Sequence, residues 1–143
     1  MQKEQEGARV RGRVMIVDDD PMVSAALKRT LREHDVEVVT SSRLALELLS
    51  GPKGAEVDVV LCDLMMPDLT GMELHAELSV SAPSIARRMV FVTGGAFTPA
   101  AQNFMNQVKN VRVDKPFDSQ QLREQVRDWV VKARNGLEPG QAA

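Results

Sequence analysis

Five short apolar runs punctuate the chain, and each is followed by residues whose apolar positions recur at helical spacing. Residues 14–17 are wholly apolar, the pattern of a strand buried on both faces. Asp20-Pro21 then offers an acceptor side chain at a helix N-cap with proline at the first helical position. Met22, Val23, Ala26, Leu27 and Leu31 follow on one helical stripe. Residues 36–40 read as a second strand. Ser41 or Ser42 caps the next helix, which carries Leu44, Ala45, Leu48 and Leu49 and stops at Gly51-Pro52. Residues 57–62 form a third strand, and a helix from Gly71 to about Val80 turns Leu74 and Leu78 inward. Residues 89–93 are a fourth strand. Thr98-Pro99 repeats the cap-then-proline signal and opens a helix with Phe104, Met105 and Val108. Residues 111–113 are a brief fifth strand, and Asp118 caps a last helix with Leu122, Val126, Trp129 and Val130 inside.

Strand and helix thus alternate five times. That order calls for a parallel sheet with five helices on its two faces, because a parallel crossover is long enough to hold a helix and has one favoured hand. The repeating unit occupies residues 12–134. Residues 1–11 are polar and without period, a flexible lead-in. Residues 135–143, with their glycines and proline, read as a frayed end or the start of a linker.

Composition narrows the classes of function. The 143 residues suit one domain. With 18 basic against 20 acidic residues and a net charge of −2, the chain lacks the basic surplus of a nucleic-acid binder. No apolar run approaches the roughly 20 residues that span a bilayer, and the polar start lacks the apolar stretch of a secretory signal. The single cysteine, Cys62, forms no internal disulfide, so a cytoplasmic, reducing setting is expected.

In an open parallel sheet, functional groups gather at the carboxyl ends of the strands. Here those ends carry Asp18-Asp19-Asp20, then Asp63, then Thr93, then Asp114-Lys115. Carboxylates held this close repel one another unless a counter-charge is present. A hard divalent cation with oxygen ligands is the natural one, and Mg²⁺ takes one or two carboxylates while keeping waters and substrate oxygens. A lysine adds a second positive point for a phosphoryl group, and a threonine hydroxyl donates to a phosphoryl oxygen. A carboxylate attacking phosphorus forms an aspartyl phosphate, a known covalent class.

The segments Ile16-Val-Asp-Asp-Asp-Pro21, Asp63-Leu-Met-Met-Pro-Asp-Leu-Thr-Gly71, Val92-Thr-Gly94 and Asp114-Lys-Pro-Phe117 resemble, in order and spacing, the four signature blocks of two-component response-regulator receiver domains. The resemblance implies a flavodoxin-like, doubly wound sheet of order 2-1-3-4-5. It implies Asp63 as phosphoacceptor, Asp19 and Asp63 as direct Mg²⁺ ligands, and Asp18 acting largely through water. The backbone carbonyl of Met65 is the further metal ligand it implies. Thr93 is then the switch hydroxyl, and Lys115, before a cis bond to Pro116, bridges the phosphoryl group. The implied donor is the phosphohistidine of a sensor histidine kinase or a histidine phosphotransfer domain, and the implied reader is a downstream protein the sequence does not name. By the same resemblance the domain is no turnover enzyme, its chemistry being confined to its own phosphorylation and dephosphorylation.

Plainer roles suffice elsewhere. Asp20 is explained by its cap, and Asp68 and Gly71 by turn geometry. Cys62 and Trp129 read as core. The thioether sulfurs of Met65 and Met66 are too soft for a hard cation. His34 and His75 each stand alone on a charged helix face and read as solvated. One departure from the family pattern is Arg112, three residues before Lys115, where an aromatic switch residue is usual; a guanidinium does not pack as a ring does, and solvent exposure on the fifth strand is expected. A phosphohydrolase of the haloacid-dehalogenase type would carry its nucleophile in an Asp-x-Asp after strand one, whereas the nucleophile here ends strand three and is followed by Leu64-Met65. A flavodoxin would need a phosphate-cradling loop there, where three aspartates repel the cofactor instead. A receiver without chemistry would not need the acidic pair, Thr93 and Lys115 together.

Overall fold

Val14, Met15, Ile16 and Val17 are almost wholly excluded from solvent on both faces, and that is what places their strand at the middle of a parallel sheet. The computed structural model describes residues 10–94 and 98–142. Its strands are β1 (Arg13–Val17), β2 (Asp35–Val39), β3 (Val59–Asp63), β4 (Met89–Thr93) and β5 (Arg112–Asp114). They pair in the order β2-β1-β3-β4-β5, every pair parallel. The edge strand β2 is only half-buried over Val36, Glu37 and Val38.

The α-helices are α1 (Pro21–Thr30), α2 (Ser42–Ser50), α3 (Gly71–Ser81), α4 (Pro83–Ala86), α5 (Pro99–Gln107) and α6 (Ser119–Arg134). Successive strand side chains point to opposite faces, so one strand feeds two cores. Met15, Val17, Val60, Cys62 and Phe91 pack with Leu49, Leu74 and Leu78 from α2 and α3. Val14, Ile16, Leu61 and Val92 pack with Leu27 of α1 and with Leu122, Val126 and Trp129 of α6. The caps expected from sequence hold: Asp20, Ser41, Thr98 and Asp118 each accept from the first turn of their helix.

Several details differ from the sequence reading. Six α-helices stand among the described residues where five were expected, because Ala82-Pro83 breaks the run after Ser81 and a short helix restarts at the proline. Pro52–Glu56 forms a 3₁₀ helix, which moves the start of β3 from residue 57 to Val59. Met22 and Leu44, taken from the pattern as helical apolar positions, are 82% and 46% exposed, and Val80, near which α3 was expected to end, is 86% exposed.

His34 is buried, not solvated: its Nδ1 accepts from the Gly12 amide at 2.9 Å, because the turn after α1 tucks it under the start of β1. His75 is half-buried, tilted against Phe91 and edge-on to Phe104 at ring distances of 5.9 and 5.4 Å. The segment after Arg134, expected as a frayed end or the start of a linker, is laid back on the protein as far as it is described. Gly136 turns with φ 75°, Leu137 donates to the Lys132 carbonyl, Glu138 pairs with Arg87 at 3.4 Å, and Pro139 is buried. Of the lead-in expected over residues 1–11, residues 1–9 lie outside the described residues, while Arg11 pairs with Asp35 at 2.8 Å.

Candidate functional site

The carboxyl ends of β1, β3, β4 and β5 deliver Asp18, Asp63, Thr93 and Lys115 to one rim. The turn after β1 is fixed from three sides. Asp18 is 1% exposed, and its Oδ1 accepts the Asp20 amide at 2.9 Å. The Asp20 carboxylate is directed away, accepting from the Met22 and Val23 amides as the cap of α1. Ser24 Oγ donates to the carbonyls of both Asp18 and Asp20. Asp19, between them, is exposed and points its carboxylate to the rim. Asp20 therefore serves the helix, as its place before Pro21 indicates.

Carboxylate oxygens of Asp18, Asp19 and Asp63 all lie within 4.8 Å of one another. Lys115 Nζ sits 3.5 Å from Asp18 Oδ2 and 3.8 Å from Asp63 Oδ1, and the Lys115–Pro116 peptide is cis. One ammonium thus faces three carboxylates, an excess of negative charge at a partly buried place. Asp63 registers it. Burial raises its pKa above the ordinary carboxylate range, Lys115 pulls it back, and Asp18, the Met65 amide and Asp19 contribute less. The donor set is all oxygen, compact and under-neutralised, which fits a hard divalent cation.

The loop after β3 shapes the rest. The Met65 amide donates to Asp63 Oδ1 at 3.2 Å, and the Met65 side chain is 42% exposed. Gly71 opens α3 against this loop: its amide donates to the Leu64 carbonyl, and a Cβ there would stand 2.5 Å from the Asp63 carbonyl oxygen. Glycine is required here by close backbone approach. Asp68 stands in the bend before α3 and also pairs with Arg43 across to α2 at 3.3 Å. Thr93 is buried at the end of β4, opposite Asp114 in the ladder, and its carbonyl accepts the Lys115 amide at 2.8 Å. Gly94 is exposed, and a Cβ there would meet no atom within 4 Å among the described residues. Gly95, the next residue, lies outside the described residues.

Cys62 is fully buried, and desolvation by burial pushes its thiol far up, so it stays a core thiol. Arg112 is exposed on β5 and pairs with Asp114 at 3.1 Å.

Two supporting residues are absent from the sequence reading. Ser24 has a weak signal, a small hydroxyl one turn into α1 on its inner face. Thr70 has a strong one: Thr70-x-x-Glu73 is a capping box, and both of its bonds form, at 3.1 and 2.9 Å.

Comparison with known proteins gives the family and the fold. The family model for the response regulator receiver domain matches residues 14–127. The sensor kinase CckA of Brucella abortus is 33% identical over 121 residues, 83% of this chain and 12% of that protein. The chemotaxis protein CheY of Listeria monocytogenes is 29% identical over 72 residues, 50% of this chain and 60% of that one. The chain therefore spans 12% and 60% of the length of these two curated relatives. A CheY-like response regulator receiver domain protein from Methanospirillum hungatei superimposes with a TM-score of 0.73 at 23% identity, over 87% of this chain and 98% of that one. The receiver domain of sensor histidine kinase PA1611 from Pseudomonas aeruginosa, solved with a magnesium ion coordinated in its active site cleft, gives 0.71 at 21% identity over 85% and 99%.

Proposed function

The chain belongs to the response regulator receiver domain family of two-component signal transduction, and on that premise we propose that it accepts a phosphoryl group on Asp63 and signals by the change this makes to its surface. The observation that carries the proposal is the meeting of Asp63 with Asp18, Asp19 and Lys115 within ion-pair reach at one rim.

In the proposed reaction a carboxylate oxygen of Asp63 attacks the phosphorus of a phosphohistidine. The new O–P bond forms as the N–P bond breaks, and the imidazole leaves with its electron pair. Asp18, Asp19, Asp63 and the Met65 carbonyl would hold Mg²⁺. When bound, Mg²⁺ supplies the positive charge that three carboxylates and an incoming phosphoryl group require. Lys115 Nζ adds charge-assisted donation to a phosphoryl oxygen. Thr93 is buried beside this rim, and its hydroxyl donates to another phosphoryl oxygen once the group is in place. Catalysis is then positioning plus relief of charge. Because the product is an acyl phosphate, a mixed anhydride of the protein's own side chain, the domain acts on itself and on water and turns over no separate substrate. Receiver domains interact with histidine kinases. A kinase or a histidine phosphotransfer domain is the proposed donor here, and a downstream protein the proposed reader.

Acetyl phosphate with Mg²⁺, followed by intact mass, tests the assignment. One phosphoryl group is expected on the wild type, labile to hydroxylamine as an acyl phosphate is, and none on Asp63→Asn. A label that persists on that variant, or that resists hydroxylamine, removes Asp63 from the role. A folded wild-type protein that takes no label leaves phosphorylation-independent interaction as the function.

A further inference from the structure

The eight methionines of the chain divide between the core and the acidic rim. Met15, Met66 and Met89 are at most 3% exposed, and Met72 and Met105 are partly buried against the same core. Among the described residues only Met22 and Met65 are methionines open to solvent, 82% and 42% exposed. Both follow strand ends at the rim, Met22 in the first turn of α1 and Met65 two residues after Asp63. The loop after β3 thus buries Met66 in the core and leaves its neighbour Met65 outside.

The two exposed thioethers have different surroundings. The Met22 amide donates to Asp20 Oδ1 at 2.9 Å, a carboxylate given over to the helix cap. The Met65 amide donates at 3.2 Å to Asp63 Oδ1, the oxygen that faces Lys115 Nζ at 3.8 Å. With an N–Cα bond of about 1.5 Å, the Met65 Cα is no more than about 5 Å from that oxygen. Its sulfur extends from there on a flexible, unbranched side chain. Cys62 does not compete for an oxidant, because it is fully buried and burial pushes its thiol far up, away from the reactive thiolate.

Hydrogen peroxide acts on an exposed thioether by oxygen transfer. A sulfur lone pair attacks one peroxide oxygen, an S–O bond forms and the O–O bond breaks. Sulfur loses two electrons, and the proton on the transferred oxygen passes to the departing hydroxide, which leaves as water. The sulfoxide replaces a soft donor by a hard oxygen with partial negative charge, the donor type that Mg²⁺ prefers. We propose that Met65 is a redox-modification site, at which a peroxide converts the thioether to a sulfoxide and so strengthens the hold of the rim on Mg²⁺. The effect on the metal rests on the proposed Mg²⁺ site; the selective oxidation of Met65 does not. A methionine sulfoxide reductase reverses the change, two thiols becoming a disulfide while the oxygen leaves as water.

The folded protein is treated with graded hydrogen peroxide, quenched and mapped by peptide mass spectrometry, with fragment ions that separate Met65 from Met66. One added oxygen is expected at Met65 and at Met22 before any at Met15, Met66 or Met89. Mg²⁺ affinity is read separately, from the amide shifts of Asp19 and Met65 in an NMR titration with Mg²⁺. Oxidation is expected to lower the Kd about threefold or more, and reductase treatment to restore it. Met65→Leu should lose this response and Met22→Leu should keep it, each compared with its own untreated form. Met66 oxidised as early as Met65, a Kd unchanged or raised by oxidation, or a response that survives in Met65→Leu each overturn the inference. An untreated wild type without any Mg²⁺-dependent shift refutes the metal site and the effect on it, while the peptide map still upholds or refutes Met65 as the site of oxidation.

Discussion

His34 accepts the Gly12 amide through Nδ1, so the folded protein needs that nitrogen unprotonated. Burial lowers its pKa; Glu33 opposes that, while Arg127 and Arg11 reinforce it and Asp58 weakly offsets it. A histidine held neutral by the fold contributes stability that is complete above its unfolded pKa of about 6.5 and is lost as pH falls toward the folded value. The thermal midpoint is therefore expected to drop on acidification from pH 7 to pH 5. His34→Asn, whose Oδ1 can take the Gly12 amide, should flatten that drop. Burial lowers the pKa of His75 as well, so a slope unchanged in the His34 variant would assign the effect to His75. Gly71 makes a sharper residue-scale case. Its Cβ would lie 2.5 Å from the Asp63 carbonyl and 3.0 Å from Leu64 Cα, both backbone atoms that yield only by moving the loop that carries Asp63. Gly71→Ala should cost about 1–3 kcal/mol in chemical denaturation and slow acetyl phosphate labelling of Asp63; a variant that matches the wild type in both measurements would show that the loop gives way freely.

Among the elements, α3 depends on its start. The Thr70–Glu73 box satisfies two backbone amides at the end of the same loop, and Thr70→Ala should lower stability by about 1 kcal/mol, read from the shift in denaturation midpoint. The lead into β3 is held differently. Asp58 is 7% exposed; Oδ2 accepts the Arg13 amide at 2.8 Å, and Arg134 pairs with both oxygens, at 2.9 and 3.0 Å. The arginine is half-exposed, so the ion pair itself contributes little. The orphaned Arg13 amide dominates, and Asp58→Ala should cost about 1–3 kcal/mol. Arg134→Ala should cost clearly less, and the reverse order of the two losses would show that the ion pair is the stronger tie.

At the scale of the molecule, the two ends of the sheet do different work. The carboxyl ends of the strands hold the acidic rim. The amino ends of β4 and β5 are covered by the returning segment, with Glu138 on Arg87 and the Pro139 carbonyl accepting from Lys132 Nζ. A chain ended after Asn135 should melt at a lower temperature and still label at Asp63 at the wild-type rate, because among the described residues no hydrogen bond or ion pair of that segment reaches the rim. A slowed rate would show that the two ends are coupled.

The order of strands and helices, the caps at Asp20, Ser41, Thr98 and Asp118, and the gathering of Asp18, Asp19, Asp63, Thr93 and Lys115 follow from the sequence alone. Local periodicity and capping act over a few residues, and a parallel sheet sends every strand end to the same rim whatever lies between. Folding in three dimensions decided the remainder. A helix stripe says which residues share a face, but not whether a neighbour covers it, so Met22 and Leu44 fall on stripes with core residues and yet are exposed. A lone histidine carries no mark of what packs over it, so His34 and His75 read as solvated and are drawn inward by Gly12 and by Phe91 and Phe104. A polar tail with glycine and proline reads as loose until Arg87, far earlier in the chain, is brought beside Glu138. Each of these depends on contacts between distant segments, which only the packed sheet and its helices create.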